Sequence, residues 1–245
     1  MTALLLLAAA SAELTICADR PSKANGVCTV PSGHWQLEMS GVDWTHAGDT
    51  EVTSVGQTLA KAGLSGSSDV EIGFTPYVSV HQPGLDASGA GDVVVRYKQR
   101  LTGPDATVQA AILPFVKLPT ASHSIGNGKV EGGVAIPLST AIGKSVTLTL
   151  GPEVDLLADS GGHGLHLAVT NLVNLGWSAA PRLSLAAELW SNQNFDPADT
   201  QRLWSADASA AYLVSDRVQI DAGANAGLNR ATPDIELYCG LSILF

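Results

Sequence analysis

Beyond residue 12 the chain has no run approaching the ~18 consecutive apolar residues of a membrane-spanning helix. That excludes a helical membrane protein. Basic residues are scarce, with 13 Lys and Arg against 23 Asp and Glu and a formal net charge of −10. There is no basic patch with interleaved aromatics, and nucleic-acid binding rests on basic contacts to phosphate, so a nucleic-acid partner is excluded. No G-x-S-x-G nucleophile elbow is present; Gly63-Leu64-Ser65-Gly66-Ser67 only looks like one, since its last residue is wrong. No phosphate-binding Gly-rich loop opens a helix, because Gly89-Ala90-Gly91 leads into a strand pattern. His163 and His166 lack the third and fourth ligands that a metal site needs. The sequence therefore leads us to expect no enzyme, no cofactor and no metal. Aromatic residues make up only 5% of the chain.

Three cysteines occur. In an oxidising compartment Cys17 and Cys28 could pair as a disulfide, with Pro21 and Gly26 suiting the tight loop between them. Such a loop would contribute about 3 kcal/mol in the chain-entropy account. Metal binding by the two thiols is the weaker alternative. Cys239 falls on an apolar strand face and reads as a small hydrophobe.

What is present is apolar content without long runs: 45% hydrophobic residues and a mean hydropathy of +0.19. A membrane β-barrel gives this combination, because lipid-facing residues alternate with lumen-facing ones. Residues 1–12 read as a signal peptide, with an apolar core from Leu4 to Ala10 and an Ala10-Ser11-Ala12 cleavage pattern but no basic start. Ile16 is too large for a lipidation site at Cys17. Residues 13–32 then form a periplasmic N-terminal segment, and residues 33–245 the barrel. At the far end Ile235, Leu237, Cys239, Leu241, Ile243 and Phe245 share one strand face, while Glu236, Tyr238, Gly240, Ser242 and Leu244 share the other. This is the pattern of a closing barrel strand.

Twelve strand-like segments follow a period of two over ten or so residues. They begin with His34 to Trp44 and Glu51 to Lys61, and end with Val218 to Ala226 and the closing strand. The expected fold is all-β, a single antiparallel transmembrane β-barrel of about 12 strands. Pro114, Pro137 and Pro152 fall inside strand patterns and oppose it, since proline cannot donate to the ladder; bulges near a rim would accommodate them. Connections after even-numbered strands are short. Those at Gln82–Gly91, Pro119–Asn127 and Ser191–Leu203 read as longer. Short periplasmic turns and longer outer loops would place both termini in the periplasm. Trp35, Trp44, Trp177, Trp190, Trp204, Tyr212 and Phe245 suit interfacial girdles.

If the apolar faces meet lipid, Arg96, Lys98, Lys117 and Lys129 point into the lumen. So do Glu131, Glu153, Asp155, Glu188, Asp207 and Asp221. Basic groups cluster on strands four to six and acids dominate elsewhere. Two readings stand side by side: a transverse field that orients a polar solute in a pore, or a plug of salt bridges that fills the barrel.

Six blocks carry a resemblance: CADRPSKANGVC (17–28), VPSGHWQLE (30–38), GDVVVRYK (91–98), LPFVKLPT (113–120), IGNGKVEGG (125–133) and LGPEVD (150–155). Together they resemble the Gram-negative outer-membrane proteins labelled "transporter" or "putative phenol-degradation meta-pathway protein". The likeness implies an outer-membrane barrel passing small, aromatic or apolar compounds. It supplies no catalytic residues, and the short leader departs from the family's longer signal. The expected function is passive uptake of such solutes. Partners would be outer-membrane lipid, the solute and the barrel-insertion machinery. A salt-bridge-plugged structural barrel and a soluble periplasmic β-sandwich that binds a ligand are the alternatives.

Overall fold

The computed structural model describes residues 14–245; the leader read at residues 1–12 lies outside them. The chain forms one closed antiparallel sheet of twelve strands. These are β1 (Trp35–Ala47), β2 (Thr50–Val55 with Thr58–Ser65), β3 (Ser68–Phe74 with Tyr77–Gln82) and β4 (Leu85–Gly89 with Val93–Arg100). Next come β5 (Val108–Leu118), β6 (Glu131–Ala135 with Leu138–Ile142), β7 (Val146–Leu150 with Glu153–Ala158) and β8 (Leu165–Ala180). The last are β9 (Leu183–Asn194), β10 (Gln201–Ser215), β11 (Val218–Gly227) and β12 (Ile235–Leu244). Each strand pairs with the next, and β12 pairs with β1 from Gln36↔Leu244 to His46↔Ile235. Trp35 and Phe245 exchange backbone hydrogen bonds at the seam. A single closed sheet rules out the two facing sheets of a sandwich.

Alternation sorts the side chains. Along β8, Leu165, Leu167, Val173, Leu175 and Trp177 are exposed on the outside, while His166, Ala168, Thr170, Leu172 and Asn174 are buried inside. The polarity is inverted relative to a soluble protein: large hydrophobics dominate the outer surface, and the buried set is rich in Glu, Asp, Lys, Gln and Ser. This is a transmembrane barrel, with lipid as its outer solvent. Trp35, Trp177, Trp204, Tyr212 and Phe245 face outward. Trp190 departs from the girdle expectation: it turns into the lumen, beneath the ammonium of Lys23.

The prolines are accommodated by breaks in the wall rather than by rim bulges. Pro76, Pro137 and Pro152 each sit in a two-residue gap between the halves of β3, β6 and β7. Pro114 remains within β5, but the β4–β5 ladder lapses beside it, between Arg96↔Phe115 and Gln99↔Ile112. A missing N–H is harmless where no ladder bond is made. The gap in β2 holds Gly56 at φ 72°, where an added Cβ would lie 3.1 Å from Pro76 Cγ; the crossing needs glycine on both counts.

One end of the barrel carries the turns at 66–67, 143–145, 181–182 and 216–217, the connection 101–107, which is longer than the short turn expected after strand four, and both ends of the strand-forming chain. The other carries tight turns at 48–49 and 83–84 and the connections at 119–130, 159–164, 195–200 and 228–234. The long connection expected at Gln82–Gly91 is instead a tight turn, with Gly84 at φ 82° followed directly by β4. Lys129, expected to point inward from a strand, lies exposed in the 119–130 connection, because β6 begins only at Glu131.

Val173 is exposed near the middle of β8. Val173→Arg should lower stability in lipid vesicles by about 2–4 kcal/mol, the depth-dependent cost of a midplane cation. Urea unfolding followed by tryptophan fluorescence or by gel mobility before boiling measures it.

Candidate functional site: a lumen plugged by the N-terminal segment

Residues 17–30 belong to the N-terminal segment expected at 13–32 and are not strand-forming. They fold back into the short-turn end of the barrel and bind its inner wall. The reason is chemical. The wall presents buried charges that need partners, and the segment supplies them. Cys17 and Cys28 are joined by a disulfide, with Cα atoms 5.9 Å apart, which closes the segment into a compact loop.

Asp19 is the centre of the plug. Its carboxylate accepts from Lys61 Nζ and from Lys98 Nζ at 2.8 Å, and from the backbone N–H of Gly26 at 2.7 Å. Lys61 also pairs with Glu38, and Lys98 lies 3.3 Å from Glu71. Lys61, Lys98 and Glu71 are fully buried. Glu38 in turn accepts the backbone N–H groups of Asp19 and Arg20, each at 3.0 Å. Gln36 exchanges two hydrogen bonds with the backbone of Cys17, at 2.9 and 2.7 Å. On the opposite side Arg20 reaches Asp221 at 2.7 Å. Lys23 reaches Asp207 at 3.1 Å and covers the Trp190 ring at 4.7 Å. Glu188 accepts the N–H of Ala24 at 3.1 Å. Val30 donates to Asp69 at 2.7 Å. Val27 packs on the small apolar cluster of Ala111, Leu113 and Ala135. The loop thus contacts the wall almost all the way round.

Burial by itself would raise the Asp19 carboxyl, but the charges of Lys61 and Lys98, and their hydrogen bonds, outweigh it and hold it well below the usual carboxylate range. A depressed folded-state value adds stability that is fully present above the unfolded value of roughly 3.9 and is lost only as pH falls below it. The plug is therefore anchored through the neutral and mildly acidic range.

The inward residues expected from the sequence divide into three groups. Lys98, Glu188, Asp207 and Asp221 are consumed by the plug. Lys117 pairs with Asp92 at 3.0 Å and Glu131 at 2.9 Å, and Glu131 is also bonded by Asn127 of the 119–130 connection. Arg96, which also donates to Asn25 of the plug at 3.4 Å, lines the open lumen above the plug together with Glu153 and Asp155. Lys129 joins none of these groups. His166 is buried and bonded to Asp159 at 2.9 Å, whereas His163 is exposed in the loop. Sequence reasoning missed Asp19, Arg20 and Lys23, which lie outside any strand and carry no alternation. The dense charge between two cysteines was the available signal.

Above the plug the lumen opens into a cavity of about 610 Å³. Its wall mixes carboxylates, amides and hydroxyls with Phe74, Leu172, Trp190 and Tyr238, and it includes Gln57, Thr75, Pro137 and Gly151 from the broken strands.

This geometry agrees with the sequence comparison. The family profile described as "Putative MetA-pathway of phenol degradation" matches residues 18–245. The chain belongs to this family. No match was found among curated proteins. Among solved structures, an outer membrane channel from Pseudomonas putida F1 aligns with a TM-score of 0.69 at 13% identity, covering 92% of this chain and all of that one. The NanC porin aligns at 0.61 and 9% identity, covering 84% of this chain and 98% of that one. The translocator domain of the autotransporter NalP from Neisseria meningitidis aligns at 0.54 and 12% identity, covering 90% and 91%. At these identities the likeness is one of fold.

Asp19→Asn leaves two fully buried ammonium groups short of a counter-charge. Breaking such a pair costs about 3–5 kcal/mol. The amides of Cys17, Arg20, Ala24 and Gly26, all bonded in the plug, should lose protection in hydrogen exchange while the amides of β8 to β11 keep theirs.

Proposed function

We propose that this protein is an outer-membrane channel for passive diffusion of small solutes. Its lumen is narrowed at the short-turn end by the N-terminal plug. The observation that carries this reading is the cavity of about 610 Å³ above the plug, bounded by polar and aromatic side chains instead of a packed core. Eight-stranded barrels are filled by side chains and sixteen-stranded ones hold a water channel; twelve strands with one internal segment fall between. The exposed apolar band would sit in outer-membrane lipid after delivery by the barrel-insertion machinery. The short-turn end and both termini would face the periplasm, as is usual for such barrels. Trp190 and Tyr238 offer ring surfaces to a solute that carries an aromatic or apolar part. No step requires a nucleotide or other energy source.

A second reading, a sealed structural barrel, is favoured by the ion pairs that Asp19, Arg20 and Lys23 make with the wall. Planar-bilayer recording separates the two. The channel reading expects small discrete conductance steps from the intact protein, and larger steps once residues 17–28 are deleted. Steps from the deletion variant alone would make the native barrel a sealed one.

A further inference from the structure

Cations are scarce in this chain, and those inside the barrel are largely consumed by ion pairs. Arg20, Lys23, Lys61, Lys98 and Lys117 each meet a carboxylate there. Three others sit on successive turns of the short-turn end: Lys144 between β6 and β7, Arg182 between β8 and β9, and Arg217 between β10 and β11. All three are exposed, and none has an ion pair among the described residues.

Each of them stands beside an outward aromatic. Trp177 pairs with Val146, two residues from Lys144, and the next residue, Ser178, donates its N–H to the Ser145 carbonyl at 2.8 Å. Tyr212 pairs with Leu183, and the next residue, Leu213, donates its N–H to the Arg182 carbonyl at 2.8 Å. The Leu244 N–H donates to the Arg217 carbonyl at 2.9 Å, which brings Phe245 beside that turn. Trp177, Tyr212 and Phe245 are all exposed on the outside. One unit thus recurs along the side of the barrel from β6 to β12: a ring at the edge of the apolar band, and a cation just beyond it.

That order has a physical meaning. Aromatic rings settle where hydrocarbon meets headgroup, so a cation one step farther out stands at the level of the lipid phosphates. Arg182 donates to the Val214 carbonyl at 2.7 Å; a guanidinium has five N–H donors, and the others remain for an anion. Arg100, at the end of β4, donates to the Gly66 carbonyl at 3.0 Å and lies outside the series. Among the described residues the acids of this rim are Asp105 and Asp216. The opposite end reverses the balance, with Asp49, Asp159, Asp196, Asp199 and Asp234 in its turns and connections. In a chain of net charge −10, a rim where cations outnumber acids is a specific placement.

We propose that the short-turn rim from β6 to β12 binds the headgroups of anionic phospholipids such as phosphatidylglycerol. Each cation attracts a negatively charged lipid surface, and the fork of an arginine also matches phosphate geometry. The proposal needs only the barrel's place in lipid and is independent of the channel reading.

Tryptophan quenching by brominated lipids tests it on the intact protein in phosphatidylcholine vesicles, because Trp177 belongs to one of the units. Brominated phosphatidylglycerol should associate about fivefold more strongly than brominated phosphatidylcholine, the advantage of one cation at a charged interface. High salt should reduce that preference. Lys144→Gln, Arg182→Gln and Arg217→Gln combined should make the two lipids equal quenchers, whereas Arg202→Gln with Arg230→Gln, at the other end, should leave the preference intact. Equal quenching in the unaltered protein overturns the proposal, leaves the rim to an acidic protein partner, and needs no variant to fold. A preference that survives the triple variant, or that the Arg202 and Arg230 variant removes as fully, also overturns it. Conductance is read separately, so either failure leaves the channel reading where it stands.

Discussion

Lipid offers no hydrogen bonds, and that single constraint organises this molecule. Every backbone N–H and C=O at membrane depth must be paired within the protein, which a sheet achieves only by closing on itself. The seam between β1 and β12 is therefore the contact on which the rest depends. Once it closes, the period of two sends one set of side chains to lipid and the other to the lumen. Nearly all charge is then forced inward. Lys61, Lys98, Glu71 and Asp69 are buried as completely as the core residues of a soluble protein.

A lumen with that much charge must neutralise itself, and the N-terminal segment takes part in doing so. Desolvated ions are costly unless paired and hydrogen-bonded. Asp19 supplies the carboxylate shared by Lys61 and Lys98, and Arg20 and Lys23 supply cations to Asp221 and Asp207. The disulfide holds the loop compact enough to present these groups in opposite directions. Plug and wall are thus electrostatic complements. Pore and plug, which the sequence leaves as rivals, occupy different heights of one lumen: ion pairs at the short-turn end, open cavity above.

The interrupted strands follow from the same balance. β2, β3, β4, β6 and β7 are each broken, whereas β1 and β8 to β12 run on. Proline or glycine stands in every gap, at Gly56, Pro76, Gly91, Pro137 and Gly151-Pro152. Pro137 and Gly151 border the cavity, as do Gln57, Thr75 and Asp92 from the same gaps. Backbone groups at the breaks still pair with neighbouring strands, as Gly151 N–H does with Leu172, Ile136 N–H with Pro152 and Ala111 N–H with Pro137, so the wall stays satisfied where the regular ladder stops. Pro114 marks the same wall at the β4–β5 ladder.

Alternation in the sequence was enough to determine the twelve strands, the outward and inward faces and the closing strand, because each depends only on the local period of side-chain direction. Arg96, Glu153 and Asp155 could be assigned to the lumen on that basis. Strand ends were less legible: Lys129 carries the right parity but falls before β6 starts, and parity has no meaning in a loop. Only the tertiary structure decided which inward charges remain free. Arg20 and Asp221 are 201 residues apart, and Lys98 and Asp19 are 79 apart. No local pattern links such residues. Their pairing is set by the barrel's curvature and by the need of buried charge for a partner.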